Sequence, residues 1–159
     1  MAWLRDAYGQ LGCDDVETYL QSGNVVYRRP RSPSTVGVEL SALINEELGF
    51  QIDVVHRTPA DMSRVLATDA WPDADPSRRL VVFLSHALTT AEVSSLRGLA
   101  SGSEELLVGT AELQLNCPDG IGRSKLAEAV SKQRLDVVAT ARNWRTVTKL
   151  AELSAPVPG

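Results

Sequence analysis

The sequence predicts an α+β protein of two ferredoxin-like halves, each a split βαβ unit, with the first half lacking its first strand. Three observations carry that prediction. Apolar residues recur at helical spacing in some stretches and gather in β-prone runs in others. Two of the runs fold back on themselves around small polar turns, as hairpins do. The order of elements then nearly repeats between the two halves. At 159 residues the chain suffices for one domain or for two small subdomains.

Trp3, Leu4, Ala7, Tyr8 and Leu11 recur at helical spacing, and Gly12 can close that helix in a left-handed cap. The run from Val16 to Arg28 reads as a hairpin turning at Gln21-Ser22-Gly23-Asn24. Pro30 and Pro33, among serines, read as a loop. A second helix follows, with Leu40, Leu43, Ile44 and Leu48 on one face and Gly49 at its end. Ile52 to Val55 read as a strand, which completes α-β-β-α-β.

Thr58-Pro59-Ala60-Asp61 is a helix start, with a capping residue, a proline at the first helical position and an acid two residues on. Met62, Val65 and Leu66 give that helix its apolar face. A polar linker, ADPSRR, leads to Leu80–Leu84, whose unbroken apolar run suits a strand covered on both faces. Thr89 and Glu92 form a capping box for a helix with Val93 and Leu96 inward. The segment from Glu105 to Leu115 is a second hairpin, turning near Gly109-Thr110. Two helices finish the chain, with a weak β-prone pair, Val137-Val138, before the last. The expected division is residues 1–57, residues 58–155 and a tail of 156–159.

No run approaches the roughly 18 apolar residues of a membrane span, and the charged N-terminus is unlike a signal peptide. Cys13 and Cys117 lack CxxC spacing and imply reduced structural thiols in a cytoplasmic protein. No metal site and no cofactor are expected. The net charge of −4 conceals an asymmetry. Residues 1–119 hold 9 Lys/Arg against 17 Asp/Glu, whereas residues 120–150 hold 7 against 2.

That basic segment contains two cationic motifs, PDGIGRSKL (118–126) and TARNWRTVTKL (140–150). In the first, Gly120 and Gly122 let backbone N–H groups approach an anion closely. Arg123, Ser124 and Lys125 can add a fork, a hydroxyl and a point charge. The spacing matches neither a Walker A loop nor a dinucleotide fingerprint. A hairpin-to-helix turn with Ser124 as its cap explains the same residues. In the second motif Arg142, Arg145 and Lys149 are expected as one cationic stripe on the last helix. Asn143 would orient a ligand or cap a loop, and Trp144 could stack on a base but is expected to serve the core. Gln21, Ser22, Gly23 and Asn24 form a further polar turn that could face the same ligand, although turn chemistry alone explains it.

At TYLQSGNVVYR, PDGIGRSKL and TARNWRTVTKL the chain resembles an uncharacterised, mainly bacterial family, domain of unknown function 1697. The resemblance runs from about Leu4 to Leu153. It implies two ferredoxin-like subdomains and no established activity. Members usually begin with a further strand and a glycine-rich loop, which this sequence lacks. That departure implies a start assigned too far downstream, a truncated form, or a strand supplied by a partner or a second copy.

Three functions are compatible with these residues. One is a cytoplasmic binder of a phosphate-bearing ligand or nucleic acid through the basic surface. Another is a small-molecule enzyme using Cys117 or His86 in the same cleft. The last is an interaction module that accepts a partner strand. His56 and His86 are expected as exposed loop residues, and the aromatic signature of RNA-recognition motifs is absent.

Overall fold

The computed structural model describes residues 2–28, 32–131 and 136–155. It divides into unit 1, residues 1–59 with 152–159, and unit 2, residues 60–151. The class is α+β, with one antiparallel sheet in each unit.

Unit 1 opens with helix α1, Ala2–Gln10. Gly12 ends it at φ 72, and the Cys13 N–H donates to the Tyr8 carbonyl at 3.1 Å. Strands β1 (Asp14–Tyr19) and β2 (Asn24–Arg28) pair antiparallel, with Tyr19 opposite Asn24. Their turn needs left-handed backbone at Leu20 and Gly23, and the Asn24 amide pins it by donating to the Tyr19 carbonyl at 2.9 Å. Helix α2, Pro33–Leu48, follows. Pro33, expected in a loop, lies in its first turn, where its fixed φ suits a helix and its missing N–H costs no bond. Gly49 ends α2 in the left-handed conformation. Ala7, Tyr8, Cys13, Val36, Leu40 and Ile44 form the buried core. Leu48, expected on that face, is exposed in the last turn.

The expected strand Ile52–Val55 is absent as a strand: no ladder pairs these residues. Their alternation is intact, since Ile52 and Val54 pack against the core. A strand, however, is defined by its neighbour's hydrogen bonds, and no ladder to this segment forms among the described residues. Side chains hold the segment instead. Ser41 Oγ donates to the Ile52 carbonyl at 2.6 Å, and the Tyr27 hydroxyl lies 3.1 Å from His56 Nδ1. The His56 ring in turn sits over Gly37 of α2, where an added Cβ would come within 2.6 Å of Nε2.

In unit 2, α3 (Pro59–Ala67) buries Met62 and Val65. The polar linker is structured: Asp75 caps a 3-10 turn over Pro76–Arg78 by accepting from the Ser77 N–H at 2.8 Å. Strand β3, Arg79–Leu84, follows without a gap. Helix α4 (Thr90–Leu99) carries the expected capping box of Thr89 and Glu92. Strands β4 (Glu105–Val108) and β5 (Glu112–Asn116) make the expected hairpin. Helix α5 (Lys125–Ser131), strand β6 (Ala139–Asn143) and helix α6 (Trp144–Ser154) complete the order.

The sheet order is β4-β5-β3-β6, all antiparallel, which is the split βαβ arrangement. β6 corrects the sequence reading. It begins directly after Val137-Val138 and takes up Arg142, which was expected on the last helix. ATARN has little β propensity; what makes it a strand is its pairing to β3, from Leu80 opposite Asn143 to Leu84 opposite Ala139.

The two faces of this sheet differ. Val82, Leu84, Leu113 and Leu115 belong to one apolar core with Leu96 of α4 and Leu126, Ala129 and Val130 of α5. The opposite face carries Arg79, Val81 and Phe83 beside Glu112, Gln114 and Asn116, as alternation along a strand requires. Here the Gln114 amide donates to the Val65 carbonyl and to Thr68 Oγ1, both at 3.1 Å, which ties the end of α3 to the sheet. Arg79, only 2% exposed, pairs with Asp69 and stacks 3.9 Å from the centre of the Trp144 ring.

Two outcomes follow from these contacts. Amides of Ile52–Val55 will exchange with deuterium faster than those of Val81–Phe83, because only the latter close ladder bonds on both sides; equal protection by NMR would contradict the missing ladder. Replacing Arg79 by Met removes one partner of a buried ion pair, and urea unfolding should show a loss of about 3 kcal/mol. Adding Asp69→Asn should restore part of it.

Candidate functional site

Register places the two cationic motifs at one end of the unit 2 sheet. Arg79 is opposite Asn116, and Leu80 is opposite Asn143. The loop leaving β5, the turn entering β3 and the start of α6 therefore share that end. Cross-links join them: the Cys117 N–H donates to the Arg78 carbonyl at 2.9 Å, and Arg78 Nη1 donates to the Pro118 carbonyl. Arg145 and Arg78 both help to hold the Asp75 carboxyl below the usual carboxylate range, after the larger effect of hydrogen bonds from Ser77.

The glycine loop is a sequence of tight turns. Gly120 adopts φ 100, ψ 140, a conformation essentially restricted to glycine. Its N–H donates to the Cys117 carbonyl at 2.8 Å, and the N–H groups of Arg123 and Ser124 close the following 3-10 turn, Ile121–Arg123. Ser124 is buried and caps α5: its Oγ accepts from the Ala127 N–H at 3.0 Å. Gly122, Arg123 and Lys125 are exposed.

The second motif departs from expectation. Arg142 lies on β6, opposite Val81, so the stripe Arg142–Arg145–Lys149 does not exist; only Arg145 and Lys149 share α6. Arg142 is half-buried and donates to Thr140 Oγ1 at 2.6 Å and to the Ala141 carbonyl at 2.8 Å. Burial pushes its guanidinium below the ordinary arginine value. Asn143 caps α6, its Oδ1 accepting from the Thr146 N–H at 2.8 Å. Trp144 is half-buried beneath Arg79.

Of the other candidates, Gln21, Ser22 and Gly23 are exposed in the unit 1 hairpin turn, and Asn24 is buried, its amide holding that turn through the Tyr19 carbonyl and Ser22 Oγ. His86 is an exposed loop residue beside Ser85 Oγ. His56 is not exposed: it is half-buried against Tyr27, and burial, with Arg57 nearby, lowers its pKa. Both cysteines are buried and outside any disulfide, and burial pushes the Cys117 thiol up, against a weaker opposing hydrogen bond from Ser124. No three His, Cys, Asp or Glu side chains among the described residues gather as a metal site. Sequence reasoning missed Arg78, Arg79, Asp69 and Asp75. The Asp-Pro-Ser signal of a capped turn before an apolar strand could have located the last of these.

No described helix is long and apolar enough to cross a membrane. Among curated proteins, none matches this chain. A solved structure, that of the conserved bacterial protein SP0830 from Streptococcus pneumoniae, is similar in fold, with a TM-score of 0.80 at 21% identity over 98% of this chain and 88% of that one. The family model described as "Protein of unknown function (DUF1697)" matches residues 1–113, a span that ends within β5 and so before both cationic motifs. With well over half of its length matched, the chain belongs to that family of unknown function.

Proposed function

We propose that this protein is a cytoplasmic binding protein for a phosphate-bearing ligand or a nucleic acid, held at the cationic end of the unit 2 sheet. The observation that carries the reading is the shared sheet end, from which the loop of Arg123 and Lys125 and the helix start of Arg145 both leave, after strands on either side of β3. Arg123 and Arg145 are the forked donors, and Lys125 is the point charge. Gly120 shapes the loop through its glycine-only conformation, and Gly122 is exposed beside Arg123. Ser124 and Asn143 contribute by fixing the two helix starts rather than by touching the ligand. Arg142 and Lys149 are engaged within the protein and stand outside this ligand set. An enzymatic use of Cys117 is disfavoured, since a reactive thiol needs exposure and a lowered pKa.

The test is fluorescence anisotropy with a labelled oligonucleotide at low and near-physiological salt, with inorganic pyrophosphate as a second probe. Binding should weaken steeply with salt. Arg123→Glu and Arg145→Glu should each lower the salt slope by about one, with unchanged circular dichroism. Failure of both probes to bind at low salt would overturn the reading. Binding of pyrophosphate alone would restrict it to small phosphates.

One observation favours a second reading, that unit 1 takes an extended strand from a second copy of the chain. Residues 52–55 pack Ile52 and Val54 against the core yet have no ladder partner among the described residues, where β2 also pairs on one edge only. It predicts concentration-dependent dimers by light scattering. A monomer at every concentration would dismiss it.

A further inference from the structure

Beneath the end of α3, on the polar face of the unit 2 sheet, two buried side-chain atoms have no hydrogen-bond partner among the described residues: Arg79 Nε and Gln114 Oε1. Their residues are 2% and 3% exposed, so bulk water does not reach them. One atom is an obligatory donor and the other an acceptor. Native proteins seldom leave such buried groups unmet.

Their placement makes them a pair. Gln114 is opposite Val81, and Arg79 is two residues from Val81 on the same strand, so both side chains rise from the same face at diagonal positions. Each also reaches the same turn of chain. The Gln114 amide donates both hydrogens, to the Val65 carbonyl and to Thr68 Oγ1. Arg79 Nη2 donates to Asp69, the residue after Thr68. Those bonds fix the amide's orientation, with Nε2 toward α3, and leave Oε1 turned away from it. The guanidinium is fixed as well, between Asp69 and the Trp144 ring.

We infer that one water molecule is bound at this place as a structural part of the protein, accepting from Arg79 Nε and donating to Gln114 Oε1. Water is the smallest group that serves a donor and an acceptor at once. Buried waters of this kind make about three bonds to groups that would otherwise go unmet. The site is distinct from the cationic end proposed for anion binding: it needs no net charge, because Asp69 already balances Arg79.

A high-resolution crystal structure of the whole protein tests this directly. The expected result is one well-ordered water within hydrogen-bonding distance of both atoms, together with water-to-protein NOEs of the sign of a long-lived contact at neighbouring amides. Gln114→Met keeps the volume and removes the acceptor, so it should abolish that water. Should the variant fail to fold, the wild-type density decides alone. A direct bond between Arg79 Nε and Gln114 Oε1, or the two atoms facing each other with no density between them, overturns the inference.

Discussion

In unit 2 the arrangement depends on strand β3 being paired along both edges. From Arg79 to Leu84 it bonds to β5 on one side and β6 on the other, so its even-numbered and odd-numbered side chains are committed to opposite faces. Slipping by one residue would send Val82 and Leu84 to the polar side and Arg79 into the apolar core. The burial of a charge without its carboxylate forbids that slip. Arg79 thus fixes the register: Asp69 and Trp144 are where they must be only when Arg79 faces them.

Register in turn fixes the candidate site. Asn116 and Asn143 end strands on either side of β3, and the segments that follow them begin at a common level. The loop after Asn116 is held to Arg78, whereas the helix after Asn143 is held to Arg79. Two adjacent arginines therefore position two segments that are far apart in sequence. The exposed cations, Arg123, Lys125 and Arg145, depend on that scaffold without forming part of it.

Much of the fold was legible because its signals are local. Gly12, Gly49 and the Thr89/Glu92 capping box mark helix ends by the conformations and bonds they alone make easily. The hairpins announced themselves through Gly23 and Gly109. The errors concern properties that reside in a neighbour. Ile52–Val55 alternates like a strand but lacks a ladder, while Ala139–Asn143 has a ladder and no strand-like sequence. Pairing is a tertiary fact, and residue types report it only on average. The site was legible to the same extent. Exposure of Arg123 and capping by Ser124 followed from the turn, but reading Arg142 on a helix followed from spacing alone. One displaced boundary moved that residue from a surface stripe to a sheet face.

The seat of His56 constrains which sequences can occupy this fold. Its ring fits only because residue 37 has no side chain, and any Cβ there would lie well inside contact distance of Nε2. The ring is also bonded to Tyr27, which prevents it from swinging aside without loss. Positions 37 and 56 are therefore not independent. A larger residue at 37 is admissible only with a smaller one at 56, and the change at 56 must come first or together with it. A histidine in a segment that no described strand pairs thus dictates a glycine in the middle of a helix, where helix propensity alone would select almost anything else.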